Sequence, residues 1–169
     1  NKLTDSLSRL LNVTIEDTSR VLVLTNLGLQ YRNTNPDSSI YYCEKALVLA
    51  RQIKFKRGES FALVTIALSM REKGDLPKAL DLTMQALRIA ETNNYAVEAA
   101  TCLRSIGLVY MDLKDYKPCL KYLYQSLHKQ EAIPFKRGIA IEYMNLAMTY
   151  EYMNQLDSAL FYIQKAENN

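Results

Sequence analysis

Around residue 106 the apolar positions Leu103, Ile106 and Tyr110 fall three and four apart, with Gly107 among them, which is the spacing of one helical face. Asp115 then stands where it can cap a second helix, whose apolar positions are Leu120, Leu123 and Leu127. The two-helix pattern recurs. Ser39, Ala79, Cys119 and Ala159 follow one another at intervals of 40 residues, and Ala46, Ala86, Ser126 and Ala166 repeat the interval seven positions later. Upstream, Ala67, Gly107 and Ala147 step by 40, while Gly28 precedes Ala67 by 39. Phe55-Lys56-Arg57-Gly58 returns as Phe135-Lys136-Arg137-Gly138. Such regularity predicts stacked helical hairpins, because small residues recur where facing helices must approach. Turn chemistry separates the paired helices at Asn33-Thr34-Asn35-Pro36, Lys73-Gly74-Asp75, Lys114-Asp115 and Asn154-Gln155. Pro36, Pro77 and Pro118 fall in the first turn of second helices, where a missing N–H costs little.

These spacings divide the chain into an N-terminal capping helix within residues 1–15 and four repeats at 16–55, 56–95, 96–135 and 136–169. Leu3, Leu7, Leu10 and Leu11 place one apolar face on the capping helix. The last helix carries Leu160, Phe161, Ile163 and Ala166 with nothing after it. The chain opens at Asn1 rather than Met, so it is expected to be a piece of something longer, or to self-associate through that terminal helix.

Composition narrows the function classes. The 169 residues are 49% hydrophobic and 23% charged, ordinary for a globular chain and unlike a disordered tail. Five Gly and four Pro supply too few turns for an all-β fold. With 21 Lys and Arg against 18 Asp and Glu, the net charge of +3 is too mild for a nucleic-acid surface, so none is expected. No apolar run is long enough to span a bilayer. Cys43, Cys102 and Cys119, odd in number and without a CxxC pair, argue against a disulfide framework and a cysteine zinc site. They fit a cytoplasmic or a periplasmic chain alike.

Chemistry is expected to be absent. His128 has no second histidine to build a metal site, the five glycines are scattered singly, and no nucleophile elbow occurs. No catalytic residue, metal or cofactor is expected. Tyr31, Tyr110 and Tyr150 in first helices, and Tyr42, Tyr122 and Tyr162 in second helices, read as packing residues, while Tyr143 and Tyr152 are less constrained. The basic loops at Lys54-Phe55-Lys56-Arg57 and Phe135-Lys136-Arg137 read as solvated turns.

Leu27-Gly28-x-x-Tyr31, Ile106-Gly107-x-x-Tyr110 and Leu146-Ala147-x-x-Tyr150, each followed by a small residue about twelve positions after its central small residue and another seven later, resemble the tetratricopeptide repeat. Ile66-Ala67-x-x-Met70 departs only by Met for Tyr. Two features differ from that family. The period is 40 rather than about 34 residues, and Arg51, Glu91 and Glu131 stand near the place of its closing proline. The resemblance implies an all-α, right-handed solenoid of antiparallel hairpins, with four repeats plus a short N-terminal helix. Long units of this kind are similar to those of bacterial peptide-responsive regulators, of kinesin light chains, and of arrays that precede the membrane helix and kinase core in sensor histidine kinases.

In that family the first helices line a concave groove. With Gly28, Ala67, Gly107 and Ala147 as register, the positions two before form a polar row, Asn26, Thr65, Ser105 and Asn145. A buried polar group needs a partner, either inside the core or on a ligand. The resemblance implies that Asn26 and Asn145 bond the backbone of an extended peptide; a helix-to-helix hydrogen bond is the competing role. Arg32, Arg71, Met111 and Glu151, four after the register, and Arg104, Met144 and Met148 complete the candidate partner-binding set. Thr25, Leu29, Val64 and Leu68 do not match the carboxylate clamp of the chaperone-tail subclass. The expected function is a non-catalytic module that binds protein or peptide, the sensor or scaffold part of a larger bacterial signalling protein, periplasmic if it serves a membrane kinase. Any kinase would lie outside this chain. The alternative is an oligomerisation element that needs no separate ligand.

Overall fold

The computed structural model describes residues 2–11, 16–133 and 137–168. Pro134, Phe135 and Lys136 of the second basic loop, and the side chains of Leu11 and Arg137, lie outside that description. The described residues are helical apart from short connections, and the chain packs as two compact units, Asn1–Asn93 and Asn94–Asn169.

The first unit holds α1 (Lys2–Leu11), α2 (Asp17–Tyr31), α3 (Pro36–Gln52), α4 (Lys56–Glu72) and α5 (Leu76–Thr92). α2 pairs with α3 and α4 with α5, and α3 packs on α4. Asn35 caps α3 by accepting from the Ser38 N–H, and Asp75 caps α5 by accepting from the Lys78 N–H. Val21, Leu24, Ala46, Ala50 and Ala62 form the core, with Tyr42, Leu47 and Phe55 packed against it. Leu3 and Leu10 of α1 are exposed and Leu7 is half-buried.

The second unit holds α6 (Ala96–Asp112), α7 (Tyr116–Glu131), α8 (Arg137–Tyr152) and α9 (Leu156–Glu167). α6 pairs with α7 and α8 with α9, and α7 packs on α8. Asp115 occupies the N-cap of α7, but its side chain makes no capping hydrogen bond. The core is Met111, Cys119, Leu123, Leu127, Tyr143 and Leu146.

Small residues sit at the close approaches in both units. Ser39 on α3 meets Ser69 on α4 at 2.7 Å; because Ser69 Oγ donates to the Thr65 carbonyl, Ser39 is the donor between them. Two periods later Cys119 on α7 meets Thr149 on α8 at 3.4 Å, and Thr149 in turn donates to the Asn145 carbonyl. The tyrosines pair within hairpins as well. Tyr31 stacks on Tyr42 at 5.7 Å, Tyr110 on Tyr122 at 5.7 Å and Tyr150 on Tyr162 at 5.6 Å. Tyr143 is buried, so of the two less constrained tyrosines only Tyr152 stays exposed.

Candidate functional site

In the first unit the predicted residues lie on α2, α4 and the connection after α2. Asn26 is half-buried and its Nδ2 donates to the Leu22 carbonyl of its own helix, 2.8 Å away. Arg32 is half-buried and donates through Nε to Asn33. Thr65 is fully buried, and its hydroxyl returns to the Phe61 carbonyl. Such bonds to the carbonyl four residues back satisfy a hydroxyl inside a helix without any external partner. Arg71 is half-buried and approaches Glu72 at 3.8 Å.

In the second unit Ser105 is buried and donates to the Thr101 carbonyl. Met111 belongs to the core at 6% exposure. α8 differs from the other first helices in what it shows to solvent. Ile141, Met144, Met148 and Tyr152, three to four residues apart, are all exposed and form one apolar row. Glu151 is exposed beside them. Asn145 lies within this row in sequence but is buried, and its Nδ2 finds no hydrogen-bond partner.

Beneath that row sits a polar cluster that spacing alone did not single out. Glu142 on α8 is 0% exposed. Its Oε1 accepts from Arg104 Nη1 on α6 at 3.0 Å and lies 2.7 Å from Ser126 Oγ on α7, while Oε2 is buried without a partner. Burial raises the Glu142 carboxyl above its ordinary range, although Arg104, Ser126 and Asn145 each pull it down. Arg104, predicted to meet a partner, is therefore already engaged inside its unit. A signal for the cluster is present in the repeat register: Glu142 falls where the two preceding repeats have Ala62 and Cys102, and Arg104 where its neighbours have Val64 and Met144.

The remaining chemistry is sparse. Cys43, Cys102 and Cys119 are buried thiols rather than disulfide halves, and burial pushes the Cys43 thiol up to about 12. His128 is exposed. Among the described residues no group of three or more His, Cys, Asp or Glu is placed to hold a metal ion, and no helix is long and apolar enough to cross a membrane. Tyr124 OH lies 2.8 Å from both the Tyr150 and Tyr162 hydroxyls, and burial followed by these two phenols raises its pKa.

No family model and no curated protein sequence matches the chain. Solved structures do. A Rap protein complexed with competence and sporulation factor superposes with a TM-score of 0.84 at 19% identity, over 92% of this chain and 44% of that one. Aspartyl phosphate phosphatase F from Bacillus subtilis follows at 0.80 and 14% identity, over 97% of this chain and 43% of that one. A signal transduction ATPase with numerous domains and a tetratricopeptide repeat sensor, from Pyrococcus horikoshii, matches at 0.71 and 19% identity, over 91% of this chain and 24% of that one. The chain thus spans less than half the length of each. It has the antiparallel helix hairpins that the forty-residue spacing predicts, in the tetratricopeptide-type fold that the motif resemblance implies.

Proposed function

We propose that the chain is a non-catalytic module that binds a protein or peptide segment, and that it serves as the sensor or scaffold part of a larger bacterial signalling protein. The observation that carries this reading is the apolar row on α8, where Ile141, Met144, Met148 and Tyr152 are 42%, 51%, 37% and 57% exposed on a helix of otherwise ordinary packing. Two methionines suit such a surface, since an unbranched thioether side chain repacks around different occupants. Asn26, Arg32 and Arg71 provide polar contacts on the first-helix faces of the other unit. Glu151 and Asn145 do so beside the row, and Arg104 acts through the cluster below it. Thr65, Ser105 and Met111 support these faces from within. Two of the similar solved structures support this reading: one is a Rap protein complexed with competence and sporulation factor, and another contains a tetratricopeptide repeat sensor.

Screening a displayed peptide library against the full chain tests the proposal. Selected peptides are expected to bind, and Met144→Asp with Met148→Asp is expected to weaken them at least about tenfold, the loss of two buried apolar contacts. Asn26→Ala with Asn145→Ala provides the second arm. A library that yields no binder, or binders indifferent to all four substitutions, overturns the assignment.

A second reading rests on α9, where Leu156, Leu160, Phe161 and Ile163 are exposed at 64%, 55%, 50% and 38%. Under it the chain self-associates through this face. Light scattering would then give a dimer that dissociates with Phe161→Asp; a monomer at all concentrations removes this reading.

A further inference from the structure

Ser126 has one hydroxyl proton and two acceptors. Its Oγ lies 2.8 Å from the Ala100 carbonyl and 2.7 Å from Glu142 Oε1, and one proton serves one of these contacts. The first unit offers a parallel for one of the two contacts. Residues 60 and 100 are register equivalents, as are 86 and 126. Ser60 donates to the Ala86 carbonyl at 3.0 Å, the same pairing with the serine on the opposite helix. If Ser126 likewise donates to Ala100, its contact with Glu142 places two oxygens 2.7 Å apart with no proton between them, unless the carboxyl supplies it.

We propose that Glu142 carries this proton, held on Oε1 and donated to Ser126 Oγ, and that its presence sets how much positive charge Arg104 presents to a partner. The orphaned atoms agree. Oε2 is buried and makes no hydrogen bond of good geometry, the Asn145 amide being the one group that pulls on the carboxyl from its own helix; such an oxygen is costly as half of a carboxylate and less so as the carbonyl of a neutral acid. The groups acting on Glu142 are Arg104 of α6, Ser126 of α7 and Asn145 of α8, with none from α9 among the described residues. Arg104 is the only charge among them. With the proton in place, Arg104 keeps its full charge and rests against a neutral oxygen. When the proton leaves to solvent, the carboxylate neutralises the guanidinium and pins it. On the binding role proposed above, a segment carrying a carboxylate is favoured by the protonated form and disfavoured by the ionised one.

Carbon-13 NMR titration of the glutamate carboxyls in the full chain tests the proton directly, with Glu142 assigned through its backbone in the unmodified protein. The expected midpoint lies above those of the exposed glutamates, and the Arg104 side-chain N–H signals shift with it. A midpoint with or below the exposed glutamates overturns the proposal. Glu142→Gln gives a second readout, because its amide donates to Ser126 as the neutral acid does. It is expected to match the unmodified chain in stability at pH values below the Glu142 midpoint, whereas Glu142→Ala is not; a loss there as large as that of Glu142→Ala also overturns the proposal. Neither measurement involves a partner, so both stand apart from the peptide screen.

Discussion

Gly28 on α2 faces Cys43 on α3 so closely that a β-carbon at Gly28 would lie far inside van der Waals contact distance of the Cys43 Sγ, and 2.9 Å from the Ser39 carbonyl oxygen. The thiol can rotate away, but the carbonyl moves only with the helix. Gly28→Ala is therefore expected to lower stability by about 1–2 kcal/mol, overpacking outweighing the gain of about 1 kcal/mol in helix propensity. At the equivalent Gly107 the nearest atoms are Leu123 side-chain carbons at 3.0 Å, with the Cys119 carbonyl at 3.3 Å. There the two effects nearly cancel. Urea denaturation of both variants checks the ordering, and a Gly107→Ala cost equal to that of Gly28→Ala would refute it.

Stacked tyrosines join the helices of three hairpins, whereas the remaining repeat has Met70 and Leu82 at the same register. The rings of Tyr110 and Tyr122 lie 4° from parallel. A double-mutant cycle with Tyr110→Leu and Tyr122→Leu is expected to give a coupling of about 0.5–1.5 kcal/mol beyond area burial. Additive losses would show that each ring acts only through its own burial.

Gly74 turns the chain between α4 and α5 at φ +81°, and a β-carbon there would meet nothing within 4 Å. Substitution is thus a test of backbone conformation alone. Gly74→Ala is expected to cost about 1–2 kcal/mol, the penalty of an L-residue in the left-handed region, and Gly74→Asn less. Lys54, Asn94, Lys114 and Asn154 adopt φ of 57° to 58° in other connections, so the fold accommodates L-residues in this conformation. Thermal unfolding of the two variants decides; equal losses would point to a cause other than backbone conformation.

The hairpins were legible because they are written in small residues at fixed intervals, and close packing admits few alternatives at Gly28, Ser39 or Cys119. The tyrosine pairs were legible for the same reason, being register positions on facing helices. Asp115 misled, since a residue type suited to capping does not guarantee the side-chain rotation that makes the bond. The polar row at Asn26, Thr65, Ser105 and Asn145 shows a further limit. Periodicity places these residues on one helix face, but a hydroxyl that returns to its own backbone is indistinguishable in sequence from one that awaits a ligand. Glu142 and Arg104 were readable only as a pair: each breaks an apolar register, and only contact across 38 positions explains both.

Glu59 at the start of α4 accepts from Arg51 Nε at 3.0 Å and from Lys56 Nζ at 2.8 Å. Its side chain is 9% exposed, and burial alone would raise its carboxyl pKa, but the two cations outweigh that and hold it below the ordinary range. Both cations are themselves about half exposed, at 53% and 51%, so solvent screens much of the attraction. Glu59→Gln is therefore expected to cost about 1 kcal/mol at neutral pH. The sign with pH follows from the lowered value. The contribution is complete above the carboxyl's unfolded pKa and disappears as pH falls through its folded one, because the protonated acid then resembles the amide. Unfolding free energies of the two chains should converge in acid and separate again towards neutrality. A difference that stays constant across that range would mean that Glu59 acts through its shape rather than its charge.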